Sequence, residues 1–518
     1  MELGCSRAFS SALVAERPRL GNTNCQSFTL VSAQVGPLQI DAEKDLEGQV
    51  VTVLGLGVSG RAAVKLALAR GAHVVAIDKN KHIPALQQDP LFSSEANTRL
   101  ILELGLFNEE HLHEAHKIVV SPGISLEQYG LENLMQLGYP IVSELDFASE
   151  KLPKGVRIIA VTGTNGKSTV TSFTGQILEH AGIPCFTGGN LGVPLSDAAL
   201  TCMECGNGGA PFQASVVEVS SYQMEIHAKT FRPSVAVVLN LTPDHLERHK
   251  TLERYGLCKC RLFTHMDPSQ LAVIPAGDSL LQGLAAQSGG AGTRAWLGDL
   301  PGVQLNAAGS AAHLHVPTTS LEAHLDLTTL KATGVHNAHN AGTASLLALG
   351  VDFGLDEGAI QSALPTLKCL PHRMQQVCRD DNDVVWINDS KATNVDATYT
   401  GLKGLTKQQC VVLLGGLAKV LDEKGNIGFD NLVHVLNLHR AVVTFGASGE
   451  QIKKDLEANG LAIPCKQSKG LVEAVRVARG IAQPGDAVVL SPGCASFDEF
   501  LNFELRGQVF SGLARSIS

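Results

Sequence analysis

Two glycine-containing stretches in this chain are spaced to hold phosphate. The sharper one reads Val161-Thr162-Gly163-Thr164-Asn165-Gly166-Lys167-Ser168-Thr169. A β-branched run precedes it and an apolar-periodic segment follows, so backbone N–H groups at a strand-to-helix turn can converge on phosphate oxygens. Lys167 can then reach the β- and γ-phosphates, and Ser168 can hold Mg²⁺. The usual motif places four residues between its first Gly and Gly-Lys, and here that first position is Val161. The weaker stretch, Gly55-Leu56-Gly57-Val58-Ser59-Gly60, fits G-x-G-x-x-G, with Asp78 eighteen residues beyond Gly60. It permits a tight turn and close approach of a diphosphate to a helix start, with Asp78 placed for a ribose hydroxyl or another polar ring edge. Alone it does not separate NAD from a nucleotide-sugar diphosphate.

The elements that must position these loops form a βα rhythm. Gln49–Leu54 reads as a buried strand, Arg61–Arg70 as a helix and His73–Ile77 as a second strand, a βαβ unit. Lys117–Ser121 is another strand, turning at Pro122-Gly123, and Ser149–Gly155 is a polar boundary. The second unit opens with strand Val156–Val161 and helix Ser168–Ala181, stopped at Gly182. Its strands continue at Ala214–Val219, Ser234–Leu239 and Leu271–Ile274, with a helix at His336–Leu349. Gln287–Ala312, rich in Gly and Ala, reads as an irregular excursion. After a boundary near Leu367–Pro371 come strands at Val384–Ile387, Gln409–Leu414, Ala441–Phe445 and Ala487–Leu490. The expectation is an α/β protein of three domains: 41–150 with a Rossmann-like sheet, a central P-loop α/β domain over 151–368, and a second Rossmann-like domain over 369–518.

Composition narrows the class. The 518 residues include 41 Lys and Arg against 50 Asp and Glu, a formal charge of -9, which argues against nucleic acid as a partner. No apolar run reaches the length of a membrane helix. Twelve Cys at irregular spacing are too dilute for a disulfide scaffold. The one C-x-x-C, Cys202 to Cys205, falls in Thr201–Ala214, which reads as a turn with no second pair or nearby His to complete a zinc set. Residues 1–40 carry Arg7, Arg17 and Arg19, no Lys, two acids and five Ser, the pattern of an organelle transit peptide, disordered before removal.

Three further motifs narrow the reading. Leu370-Pro371-His372-Arg373, Asp389-Ser390-Lys391-Ala392-Thr393-Asn394 and the stretch from Ser491-Pro492-Gly493-Cys494-Ala495-Ser496 to Asn502-Phe503 follow the phosphate loop in order. Together with Gly163–Thr169 they resemble the Mur ligases, which build the peptide of peptidoglycan precursors, over a match from about Gly48 to the C-terminus. The resemblance is to the branch that adds D-glutamate to UDP-N-acetylmuramoyl-L-alanine. It implies an ATP-dependent amide-bond-forming ligase with a UDP-substrate domain, a central ATPase and an amino-acid domain. It also implies a soluble monomer acting on small molecules. Combined with the transit-like start, it makes the plastid stroma the expected compartment and the cytoplasm the alternative.

Such a ligase turns a carboxylate into an acyl phosphate and then exposes it to an amine. Both steps gather negative charge, so metal ions and cations are needed. The resemblance makes Glu218, in Val217-Glu218-Val219-Ser220-Ser221-Tyr222-Gln223, and His245, in Asp244-His245, metal ligands beside Ser168. His249 has no such support and is left as a surface residue. Lys259 aligns with a family lysine that is carbamylated by CO₂. Only the neutral amine reacts, which burial would favour, and the carbamate would be a further metal ligand. Lys167, Glu218, His245 and Lys259 are the expected catalytic set. Asn337 and Asn340, at i, i+3 on one helix, and Arg373 and Asp389 from beyond the second boundary would join residues 163–169 around ATP. Lys391, Thr393, Lys419, Ser496 and the backbone at Phe503 would take D-glutamate. The stretch Gly415-Gly416-Leu417-Ala418-Lys419 lacks the Asp of the usual Gly-Gly-x-Asp-Lys-Gly. Gly57, Val58, Ser59, Asp78, Lys79, Ser121, Asn190, Ser220 and Gln223 would hold the UDP substrate. Three rivals stand beside this reading. A folate polyglutamate synthase does not fit the later motifs or the Rossmann-like start, and an NAD-dependent oxidoreductase leaves Gly163–Thr169 unexplained. The third is a catalytically retired protein of the same fold with a structural or regulatory role.

Overall fold

Three separate β-sheets follow one another along the chain in the computed structural model, which describes residues 44–93, 98–205, 209–332, 334–405, 408–419 and 427–516. The expected transit segment 1–40 lies outside the described residues. The first sheet holds β1 (Val50–Leu54), β2 (His73–Asp78), β3 (Leu100–Leu104), β4 (Lys117–Val120) and β5 (Ile141–Ser143). The order is β3-β2-β1-β4-β5, all parallel. Near-continuous runs such as Val50-Val51-Thr52-Val53-Leu54 suit strands covered on both faces. The order reverses between β1 and β4, the place where open parallel sheets bind ligands at their carboxyl ends.

The second sheet has nine strands: β6 (Arg157–Thr162), β7 (Cys185–Gly189), β8 (Ala214–Glu218), β9 (Val235–Val238), β10 (Leu271–Pro275), β11 (Thr293–Leu297), β12 (Gly302–Leu305), β13 (Ala311–Val316) and β14 (Leu321–Asp326). Seven run parallel, from β7 at one edge through β8, β6, β9, β10 and β11 to β12, and the hairpin β13-β14 extends the sheet antiparallel. The irregular excursion expected over Gln287–Ala312 is therefore corrected, because it contains β11 and β12. Those strands are short and pair with each other over only two residues, so no alternating pattern long enough to read develops. Cys202 is likewise not in a turn. It is buried in the helix Leu195–Glu204, whose apolar face Leu195, Ala198, Ala199 and Cys202 needs a partner helix that the local sequence does not show.

The third sheet comprises β15 (Gln375–Arg379), β16 (Val385–Asn388), β17 (Cys410–Gly415), β18 (Ala441–Phe445), β19 (Cys465–Gln467) and β20 (Ala487–Leu490), in the order β15-β16-β20-β17-β18-β19. Only β15 is antiparallel to its neighbour. The result is the expected three-domain α/β architecture.

The joints between the sheets differ in chemistry. The helices Val58–Ala69 and Glu144–Lys151 pack on Leu195–Glu204, and Val64, Ala67, Leu145 and Phe147 share one apolar core with Leu195, Ala198 and Ala199. Asp146 reinforces that joint, its carboxylate accepting from the backbone N–H groups of Lys229, Thr230 and Phe231. Where the second and third sheets face each other, polar pairs span the gap. Asn165 donates to Asp396 at 2.6 Å, and Lys419 pairs with Asp244 at 2.5 Å.

Candidate active site

A cavity of about 760 Å³ lies between the second and third sheets. Its floor is the phosphate loop, which needs glycine in two places. Gly163 has φ 149° and Gly166 φ 84°, and a Cβ on Gly163 would stand 2.9 Å from Leu239 Cβ. The helix Lys167–His180 starts directly after Gly166, so its free N–H groups face the cavity. Asn240, just past β9, holds the loop from below, because its Oδ1 accepts from the N–H of Thr164 (3.0 Å) and of Asn165 (2.8 Å). Lys167 folds back to donate to the carbonyls of Gly163 (2.9 Å) and Thr164 (2.8 Å).

Lys259 reaches the same Gly163 carbonyl at 2.9 Å and lies over the Tyr255 ring. The helix Leu252–Cys260 explains this geometry. Thr251 caps its start, and the i, i+4 spacing turns Tyr255 and Lys259 to one face. Burial, then repulsion from Lys167, pushes the Lys259 amine well below the ordinary lysine value. Lys167 is also lowered by burial, which outweighs the attraction of Glu218 and Asp244. A neutral amine, which burial favours here, is the form whose lone pair can attack the carbon of CO₂.

Glu218 ends β8 fully inside the protein. Its Oε1 accepts from Asn190 Nδ2 at 2.7 Å, while Oε2 is buried without a hydrogen-bond partner. Burial raises this carboxyl, but Lys167 and Lys391, with Ser168 and Asn190, hold it below the usual carboxylate value. His245 takes a left-handed backbone (φ 56°), and its Nδ1 lies 2.8 Å from the Tyr222 hydroxyl. Asp244 beside it is held at about 2: burial opposes this, and Lys419 and His245 prevail. Among the described residues no three His, Cys, Asp or Glu side chains gather as a metal cage. Glu218 and His245 still fit Mg²⁺ if Ser168 and phosphate oxygens complete the set, and the unpartnered Oε2 is an available oxygen ligand.

The opposite wall comes from the third sheet. Burial lowers Arg373 despite the carboxylates of Glu218 and Asp389. Asp389 is pushed up to about 7 by burial, although its oxygens accept from the Ser491 hydroxyl (2.7 Å) and the Met374 N–H (3.1 Å). Lys391 lies over the Phe503 ring and is brought down to about 8, by burial and then by Arg373. Thr393 and Ser496 line the same wall, and the Phe503 carbonyl accepts from Ser390 at 2.9 Å. Asn337, Asn340 and Lys419 also line the cavity, with Asn340 Nδ2 3.4 Å from Asn337 Oδ1. Thus the expected ATP and amino-acid residues meet in one cleft. Gly163 contributes from beneath through its carbonyl.

The sequence reading missed several participants. Arg506, fully buried, donates to the Ser390 hydroxyl and carbonyl and to the Cys494 carbonyl, tying two amino-acid motifs together. Its place three residues after Phe503 was the available signal. Asp396 and Asn394 sit at the start of the helix Val395–Lys403 and reach Asn165 and Asp244 respectively. His249 corrects the surface reading. It is buried beside the rings of Tyr222 and Tyr255, with Nε2 2.9 Å from Ser221 Oγ, and burial, with His245 and Lys259 nearby, lowers it to about 4.

The UDP-side residues divide between two places. Asn190 and Ser220 line the main cleft. Gln223 does not; it is buried, and its Oε1 accepts from the Ser220 N–H and hydroxyl. The rest stand at the first sheet. Gly57 precedes the helix Val58–Ala69, in which Val58 and Ser59 are the first residues, and Lys79 is exposed. Asp78 accepts from the Leu56 N–H at 2.7 Å and the Asn80 N–H at 2.8 Å, and Ser121 donates to the Gly55 carbonyl at 2.7 Å. Both side chains therefore hold the glycine loop in shape.

Comparison with known proteins bears on this geometry. Residues 49–143 match the Mur ligase MurD-like N-terminal domain, 161–348 the Mur ligase middle domain, and 372–494 the Mur ligase glutamate ligase domain. The chain is 34% identical over 482 residues to the UDP-N-acetylmuramoylalanine--D-glutamate ligase of Anaeromyxobacter dehalogenans (strain 2CP-C), covering 91% of this chain and 99% of that one. It is 35% identical over 475 residues to the protein of the same name from Desulfosudis oleivorans, covering 91% and 97%. Among solved structures, MurF from Acinetobacter baumannii shares the fold at TM-score 0.58 with 17% identity, over 90% of this chain and 91% of that one. MurF from Thermotoga maritima, solved in complex with ADP, gives 0.54 at 17%, over 92% and 97%.

Proposed function

The chain belongs to the Mur ligase family, and on that premise we propose that it joins D-glutamate to UDP-N-acetylmuramoyl-L-alanine, splitting ATP to ADP and phosphate, as a step in making peptidoglycan precursor. It is an ATP-dependent, amide-bond-forming ligase. The observation that carries the substrate assignment is the facing of two walls across one cleft: the phosphate loop with Glu218 and His245 on one side, and Lys391, Thr393, Ser496 and Lys419 on the other.

In this reading 41–150 holds the UDP end, 151–368 the ATP and 369–518 the amino acid. An oxygen of the L-alanyl carboxylate attacks the γ-phosphorus, and the bond to the ADP oxygen breaks. The D-glutamate nitrogen, its ammonium proton released to water, then attacks the acyl carbon; the C–N bond forms, the acyl C–O bond breaks, and phosphate leaves with the nitrogen's second proton. Lys167 and Arg373, both lining the cleft, would offset charge on the transferring group, and Asn190, held by Glu218, would orient the acceptor carboxylate. Lys391 and Lys419 meet the two carboxylates of the amino acid. Mg²⁺, held by Ser168, Glu218 and His245, would supply further charge neutralisation at the phosphates. Lys259 as a carbamate would join it, and its burial and lowered basicity favour that modification. Polar contacts such as Asn165 to Asp396 close the third sheet over the phosphate loop, which keeps water from the acyl phosphate. The Arg- and Ser-bearing, acid-poor residues 1–40 support a plastid-stromal location for this reading, and the family resemblance supports a monomer.

The test is product analysis. Purified protein with ATP, Mg²⁺, UDP-N-acetylmuramoyl-L-alanine and a panel of amino acids should yield the D-glutamyl amide alone. A product with another amino acid would overturn the substrate assignment, and binding of all substrates without product would point to a retired ligase.

A further inference from the structure

The ligand crevice of the first sheet and the ATP cleft of the second are joined by one side chain, Arg248, three residues beyond His245. All three of its guanidinium nitrogens donate hydrogen bonds. Nε donates to both oxygens of Glu225 (2.8 and 3.0 Å), and Nη2 also donates to Glu225 Oε2. The outer N–H groups then cross to the first domain: Nη1 donates to the Pro122 carbonyl at 3.0 Å and Nη2 to the Ile124 carbonyl at 2.7 Å. The guanidinium carbon lies 4.3 Å from the centroid of the Tyr222 ring.

These two carbonyls belong to the turn after β4, one lip of the crevice where the strand order reverses. That lip carries the other. Ser121 donates to the Gly55 carbonyl, and Ile124 packs so closely that a Cβ on Gly55 would stand 2.9 Å from its Cγ1. On its other side Arg248 stacks on Tyr222, whose hydroxyl lies 2.8 Å from His245 Nδ1. A path of direct contacts therefore runs from the glycine loop Gly55–Gly60 through Ser121–Ile124, Arg248 and Tyr222 to His245. Glu225 neutralises the guanidinium, so its role at the crevice is geometric. A planar fork with five donors can grip a carboxylate and two carbonyls at once, which a lysine ammonium on a flexible stem does not.

We propose that Arg248 is a positioning residue for the UDP substrate: it fixes the crevice lip relative to His245, so that a ligand spanning both places finds them at one separation. This rests on the reading that the UDP end sits in the first-sheet crevice and the reacting carboxylate at the second sheet. Arg248→Lys keeps a cation for Glu225 but gives up the fork, and the double variant Arg248→Met with Glu225→Met removes the pair without stranding a charge.

The experiment is calorimetric titration of each protein, without ATP, with UDP alone and with UDP-N-acetylmuramoyl-L-alanine, alongside steady-state kinetics. In both variants the spanning ligand should bind about tenfold or more weakly while UDP alone stays within about twofold. KM for the UDP substrate should rise, with KM for ATP and D-glutamate unchanged. Equal weakening of both ligands would mean that Arg248 only supports the lip, and unchanged binding of both would mean that it positions nothing; either result overturns the proposal. A wild-type protein that binds neither compound would instead contradict the substrate assignment itself.

Discussion

Raising the pH from 5 to 8 should weaken the joint between the first and second sheets through one carboxyl, Glu144. This side chain begins the helix Glu144–Lys151 and is 1% exposed. Its Oε1 accepts from the Ser196 N–H at 2.8 Å and hydroxyl at 2.6 Å, while Oε2 is buried without a partner. Burial raises it from 4.5 to about 7; the Ser196 hydrogen bonds oppose this and Asp197 adds to it. The sign follows from proton linkage. The folded state binds this proton more tightly than the unfolded state, so the contribution is full below pH 4.5 and is lost as pH rises to about 7. At about 1.4 kcal/mol per pH unit between the two values, the loss is about 3 kcal/mol. Glu144→Gln keeps an oxygen for Ser196 and carries no charge, so it removes the pH term. Its amide N–H₂ replaces the unpartnered oxygen and costs about 1–3 kcal/mol at every pH. Urea unfolding of both proteins at pH 5 and pH 8, followed by circular dichroism, reads the comparison. Wild type should lose about 2.5 kcal/mol more than the variant between the two pH values, since pH 5 already lies above 4.5. An equal loss in both proteins would refute the assignment of this pH dependence to Glu144.

Three other perturbations address the cleft. Lys259→Ala should abolish turnover, and excess bicarbonate should not restore it; full activity in that variant would end the carbamate proposal. Because burial, then Arg373, brings Lys391 to about 8, its cation is lost as pH rises through that value. KM for D-glutamate should therefore climb above pH 8 in wild type and stay flat in Lys391→Arg, whose guanidinium remains charged; parallel profiles would contradict this. Asp396→Ala removes the acceptor of Asn165 Nδ2 and of the Thr242 hydroxyl. Phosphate release with all substrates present should fall by roughly tenfold or more, since hydrogen bonds to a charged group contribute about 1.5–3 kcal/mol. Unchanged release would mean that these contacts do not hold the closed state.

The legible part of this protein was what the chain writes locally. Gly163–Thr169, Asp389–Asn394 and Ser491–Phe503 each place several chemical groups within one short stretch, so their residue types and spacing could be read without tertiary information. The long buried strands of the three sheets were visible for the same reason. Asn240, Arg506 and Asp396 are single polar residues whose partners lie 11 to 231 positions away, as for Arg506 to Ala495 and Asn165 to Asp396. Nothing beside Asn240 or Asp396 marks their role, and only its place three residues after Phe503 points to Arg506. His249 looked exposed because the rings of Tyr222 and Tyr255 that cover it come from other segments. Asp78 and Ser121 were read as substrate-binding residues; their bonds to Leu56 and Gly55 depend on how β2 and β4 flank β1, which no local pattern writes.

The central claim is that the three domains serve one reaction, activation of a carboxylate by phosphorylation followed by capture with D-glutamate. Oxygen transfer tests it most directly. UDP-N-acetylmuramoyl-L-alanine labelled with ¹⁸O in its terminal carboxylate would be turned over with ATP, Mg²⁺ and D-glutamate, and the released phosphate analysed by mass. One labelled oxygen in each phosphate, with the D-glutamyl amide formed in equal amount, is the result this account predicts. Amide formed alongside unlabelled phosphate would show that the carboxylate is never phosphorylated and would contradict it.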